Sequence, residues 1–165
     1  VGSEMCIRDR PMAECQTPVS VAWILTLDAS LCAAVGQREM VFLIETPVLL
    51  DVPLSPFYCR QAVVWKQRLL PVMDLAAWLR QNPALPRQQT LTGVFAYQTQ
   101  PGAEPAYGAL RLAAIPDRAH VSDDQACALP KQPPGWPTLA ISCFKHNEQP
   151  IPILDLPRIF TGGLL

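Results

Sequence analysis

Cys143 and His146 stand three residues apart in the run SCFKHNEQ. A thiolate and an imidazole at that spacing suit a zinc site or an activated thiol nucleophile. His120 and Cys127 would have to complete a metal set, yet they form no second close pair. A nucleophile would need a partner brought to it by the fold, which spacing alone does not supply. A small barrel hydrolase using Cys143, His146 or Asp155 is the enzymatic alternative. No glycine-rich phosphate loop, Gly-x-Ser-x-Gly or His-Glu-x-x-His motif accompanies these residues. The expectation is a buried thiol and a satisfied imidazole: no catalytic residue, no metal, no cofactor and no enzyme.

The elements that hold these residues are short. The chain has 165 residues, half of them apolar, with 18 prolines against 8 glycines. Prolines scattered through apolar runs disfavour long helices and suit short strands, edges and turns. Thirteen basic against fourteen acidic residues exclude the basic face of a nucleic-acid binder. The same balance gives no reason for an anionic-membrane partner. Gln16–Leu27 is apolar but too short to span a bilayer, and Glu14 precedes it where a signal would be basic. Direct membrane insertion is not expected. Residues 1–11 read as a non-native leader, with Met12 the start. Of six cysteines, Cys6 falls in that leader. Cys15, Cys32, Cys59, Cys127 and Cys143 remain, an odd number that suits a reduced, cytoplasmic protein.

Val21–Leu27 and Leu31–Gly36 read as a first hairpin around Asp28–Ser30, and Met40–Ile44 as a third strand. Residues 46–60, with Pro47, Pro53 and Pro56, read as an extended surface connection. The stretch QAVVWKQRLLPVMDL, residues 61–75, reads as two strands around Lys66–Gln67–Arg68. Residues 76–80 suit a short helix, 81–89 a loop and 90–98 a strand. Residues 107–121 read as strand plus edge, and 122–137 as a long loop. Residues 138–145 and 150–156 read as strands around a His-Asn-Glu-Gln turn. Residues 157–160 start a helix, and 162–165 form a tail. Many short strands with few short helices predict an all-β protein, barrel-like or a pair of small barrels.

An echo organises the chain. WKQRLLPVMDLAAWL and FKHNEQPIPILDLPRIF share an aromatic, a lysine, a polar turn, a proline, two apolars and Asp-Leu. Asp74 and Asp155 lie 81 positions apart, about half the chain. Pro71 and Pro152 are expected early in their strands. Each aspartate precedes a helical segment, where it would cap free N–H groups. That structural role outweighs an acid–base pair. Trp65 and Trp78 are expected in the core or at a seam, and Asp123–Asp124 in a solvated loop.

Residues 52–76, VPLSPFYCRQAVVWKQRLLPVMDLA, resemble the central stretch of the CheW-like domain of bacterial chemotaxis coupling proteins. Pro53, Pro56, Arg60, Pro71, Val72, Asp74 and Leu75 carry the match. The closing PILDLPRIF and the opening hairpin also fit, so the resemblance runs from Val19 to Phe160. It implies one domain over 19–161, built as two small five-stranded SH3-like β-barrel subdomains around a shared apolar core. It implies a non-enzymatic adaptor that couples a chemoreceptor's cytoplasmic tip to the regulatory domain of a chemotaxis-type histidine kinase. The family's receptor-contacting cation falls on Lys66, with Arg60 and Arg68 as neighbours. Gln61, Val64, Lys66 and Gln67 depart from the family's Arg-Gly and Asn-Leu-Arg-Gly pattern. A turn that wants positive φ is cheap for Gly and strained for Gln. The turn therefore either changes type, with or without an added bulge, or tolerates strain. A divergent scaffold of a type IV pilus or another motility system is the alternative function.

Overall fold

The computed structural model describes residues 19–83 and 91–164. The leader, Met12, Cys6, Cys15 and most of the 81–89 loop lie outside them. The strands are β1 (Val19–Thr26), β2 (Cys32–Gly36), β3 (Met40–Ile44), β4 (Leu49–Asp51), β5 (Gln61–Trp65) and β6 (Arg68–Met73). Helix α1 (Leu75–Arg80) follows, then β7 (Leu91–Tyr97), β8 (Ala106–Leu112) and β9 (Asp117–Ser122). Helix α2 (Trp136–Leu139), β10 (Ala140–His146), β11 (Gln149–Leu154) and α3 (Leu156–Phe160) complete the order.

The strands form two sheets. One has five strands in the order β9-β1-β2-β11-β10; the other has six, β3-β7-β8-β6-β5-β4. The sixth is Leu49–Asp51, which pairs with β5 inside what the prolines suggested was only a connection. Pro47 and Pro53 flank this strand without entering it, so its N–H groups stay free to pair. Both sheets curl. Strands β3 and β4 lie on opposite edges of the six-stranded sheet, yet only residues 45–48 join them. Five Cα steps reach at most about 18 Å, whereas flat edges would stand about 24 Å apart. In the five-stranded sheet the chain just past β9 closes onto β10 through an Ala126–Phe144 bridge.

The halves of the chain exchange strands. The second hairpin pair, β10–β11, packs beside β1–β2 of the first half, and β5–β6 packs beside β7–β8 of the second. The two joins are parallel and equivalent: Ile153 pairs with Ala34, and Val72 with Ala109. Pro71 and Pro152 stand fourth in six-residue strands, not early as expected. Each precedes the first residue that pairs with the parallel neighbour, so its missing N–H costs little.

Three apolar clusters follow. Val63, Trp65, Leu70, Val72, Val94 and Ala109 fill the six-stranded sheet's concave side. Ala22, Ala34, Phe144 and Ile151 fill the other. The largest lies between them and draws Leu25, Val35, Phe95, Leu110, Leu154 and Trp136 from both sheets and from α2. Central strands thus bury both faces, which is why their sequences run apolar without alternation. Gly108 leaves room for the Phe160 ring, which a Cβ would meet at 2.5 Å. Trp65 is buried, and Trp78 packs half-buried against the shared cluster.

Two local expectations are corrected. Pro137 sits in the first turn of α2, so Thr138 and Leu139 are helical and β10 starts at Ala140. Residues 123–125 form a 3-10 turn because Ser122 and Gln125 bond reciprocally across it. In the tail, Leu164 is buried, and its carbonyl accepts from Tyr58 Oη at 3.4 Å and Trp78 Nε1 at 3.3 Å.

Candidate partner-binding surface

The hairpin β5–β6 turns on two residues, Lys66 and Gln67, with Trp65 paired to Arg68. Their φ values are 48° and 63°, both left-handed. That is the two-residue geometry whose twist matches antiparallel strands, and which Asn-Gly usually supplies. Each non-glycine residue there costs about 1–2 kcal/mol. The turn tolerates the strain; it neither lengthens nor bulges. Burial of Trp65 and of Leu70, at roughly 1.5–3 kcal/mol for a large apolar side chain, offsets it.

Two cations sit on an aromatic shelf at this tip. Lys66 Nζ lies 4.9 Å from the Trp65 ring centroid, and the Arg68 guanidinium carbon 5.2 Å from that of Tyr107. Trp65 and Tyr107 are themselves 5.2 Å apart. Each contact is worth about 0.5–1 kcal/mol at an exposed site, enough to restrain the cations without hiding them. Both remain solvent-exposed.

Apolar side chains occupy the other, outer face of the hairpin. Val64 and Leu69 are directly opposed across the hairpin and are 57% and 63% exposed. On the same face, Leu50 on edge strand β4 aligns with Ala62 and Pro71. The hairpin thus carries an exposed apolar strip on its outer face and Arg68 on the opposite, Trp65 face, and an exposed apolar strip of this kind suits protein docking. Sequence reading named the cations but missed Leu50, Val64 and Leu69. Their register, not their composition, separates them from the buried Val63 and Leu70.

Arg60 belongs elsewhere. It precedes β5 by one residue, so the strand's length, about 20 Å, parts it from Lys66. It lines a cleft of about 180 Å³ with Asp51, Gln61, Asp74 and Arg111. Asp74 Oδ1 accepts from Ala77 N–H at 3.0 Å, and its other oxygen meets Arg111 Nη1 at 3.3 Å. Asp155 Oδ1 accepts from Arg158 N–H at 3.3 Å.

The residues that suggested chemistry do not converge. Cys143 and His146 are an odd number of residues apart on one strand and point to opposite faces. Burial and the adjacent Cys127 push the Cys143 thiol up to about 12, the wrong direction for a nucleophile. Among the described residues no group of three His, Cys, Asp or Glu side chains could hold a metal ion. No described helix is long and apolar enough to cross a membrane.

Comparison with solved structures decides the fold. The chain superposes on the scaffolding protein TtCheW from Thermoanaerobacter tengcongensis with a TM-score of 0.68, over 94% of this chain and 96% of that one. The fold is CheW-like. Identity is 10%, so the likeness is one of fold. No protein-family model and no curated protein sequence matches the chain.

Proposed function

We propose that this chain is a non-enzymatic adaptor that couples chemoreceptor-type receptors to a chemotaxis-type histidine kinase in the cytoplasm. The observation that carries the reading is the β5–β6 hairpin of a CheW-like fold, which presents Lys66 and Arg68 over the Trp65 and Tyr107 rings and exposed Val64 and Leu69 on its outer face. The apolar strip suits a barrel of similar edge geometry, such as a kinase regulatory domain carries by resemblance. The cations suit carboxylates on a receptor tip. Lys at position 66 offers a point charge where the family's Arg offers a planar fork, so the receptor partner is a divergent one.

The test is a titration of the purified chain against both fragments from the same genome. Binding to each is expected. Lys66→Glu should weaken the receptor fragment at least tenfold, and Leu69→Asp the kinase domain, with both variants folded. Binding to neither by a folded chain would sink the coupling role. The scaffold of a type IV pilus or other motility system would then lead, since Val64 and Gln67 already depart from the coupling pattern.

A further inference from the structure

We infer that Cys127 and Cys143 form an oxidative modification site, a thiol pair that closes to an intramolecular disulfide when it meets a small disulfide oxidant. The pair lies where the five-stranded sheet closes on itself. Ala126 bridges Phe144, and Cys127 N–H donates to the Cys143 carbonyl at 3.0 Å, so the cysteines face each other across an antiparallel step. Their Sγ atoms are 3.4 Å apart. Antiparallel neighbours stand about 4.5–5.5 Å apart at Cα, inside the disulfide window of about 4.4–6.8 Å. The sulfurs need only close to about 2.05 Å, which side-chain rotation supplies. Cys32 and Cys59 make no such contact among the described residues.

Exposure assigns the order of events. Cys127 is partly exposed and Cys143 is buried. The Cys127 thiolate attacks the external disulfide and releases one small thiol. The Cys143 thiolate then attacks Cys127 Sγ and expels the second. Two protein thiols lose two electrons in all, one external disulfide gains them, and the two thiol protons end on the released thiols. Burial, then the Cys127 thiol beside it, raises the Cys143 thiol. The second cause disappears once Cys127 is in the mixed disulfide, and the fixed proximity favours the closing attack. The bond would staple to edge strand β10 the loop that carries α2, with Trp136 and Leu139 in the shared core. This inference stands independently of the coupling role.

The reduced full-length chain is exposed to oxidised glutathione, then mapped by differential alkylation and peptide mass. A linked Cys127–Cys143 peptide is expected, forming at least tenfold faster in the folded chain than in urea. Its formation should speed up as pH rises. Tm should rise by roughly 5–10 °C and return on reduction. Cys143→Ala should instead accumulate glutathione on Cys127. A wild-type chain that keeps glutathione on Cys127 while Cys143 stays alkylatable would overturn the inference. So would linkage of either residue to another cysteine. Should Cys143→Ala not fold, Cys127→Ser decides: Cys143 must stay reduced, and equal oxidation there refutes the pair.

Discussion

The molecule contains the same hairpin-plus-helix unit twice, and the two copies share a backbone but not an environment. Lys66–Gln67 and Asn147–Glu148 both turn with two left-handed residues, at φ values of 48° and 63° against 49° and 62°. Asp74 and Asp155 both cap the helix that follows. There the likeness ends. Asp74 is buried and meets Arg111. The position equivalent to Arg111, set by the matching parallel joins, is Gly36, whose N–H is taken by Glu39 at 2.7 Å. Asp155 therefore has an acidic neighbour where Asp74 has a basic one. A repeated sequence thus fixes a repeated backbone, while the strand contributed by the other half of the chain decides each copy's electrostatics.

The largest test of that contrast is removal of the caps. Asp74→Ala should cost about 3 kcal/mol, because a cap is lost and a largely buried guanidinium is left unpaired. Asp155→Ala should cost about 1 kcal/mol or less, since it loses a cap alone. Urea denaturation of both variants checks the difference; equal costs would break the comparison.

The turns should behave alike where the caps do not. Gln67→Gly and Glu148→Gly should each stabilise by about 1 kcal/mol, because glycine adopts positive φ without strain. Thermal unfolding measures both, and a destabilised Gln67→Gly chain would show that Gln67 makes compensating contacts.

The smallest effect is a pH dependence of two signs. Burial, and secondarily the Asp155 charge, push the Glu39 carboxyl up, although the Gly36 N–H pulls it down. The folded state binds that proton more readily than the unfolded one. Glu39 therefore adds stability as pH falls through its raised value toward 4.5, and costs stability above it. Asp28 has the opposite sign. Burial resists its ionisation, but Arg80 at 2.6 Å and the Ser30 and Leu31 N–H groups prevail and hold it below 3.8. Its contribution is present above 3.8 and is lost as pH falls through the folded value. Glu39→Gln should keep the Gly36 bond and flatten only the upper window. Stability curves from pH 3 to 8, a range of about five units chosen to span both carboxylates, test this.

The sequence was legible where chemistry is local. Apolar runs broken by turns announced the strands, the Asp-Leu echo announced two capped helices, and the resemblance named the fold. Leu49–Asp51 was hidden because three residues between prolines carry no period. Helix α2 was hidden because Trp-Pro-Thr-Leu reads as loop followed by strand. The candidate surface was half legible: Lys66 and Arg68 stood out as cations in a turn, while Val64 and Leu69 looked like any core residue.

By itself, then, the sequence determined the all-β class, the two repeated units, their caps and the absence of a recognisable catalytic motif. Each of these rests on contacts within a few residues of one another. Only the tertiary structure decided that the halves exchange strands, that Arg60 is remote from Lys66, that Val64 faces outward and that Cys127 meets Cys143. Those facts depend on register and on sheet curvature, which join residues far apart in the chain and leave no mark on local composition.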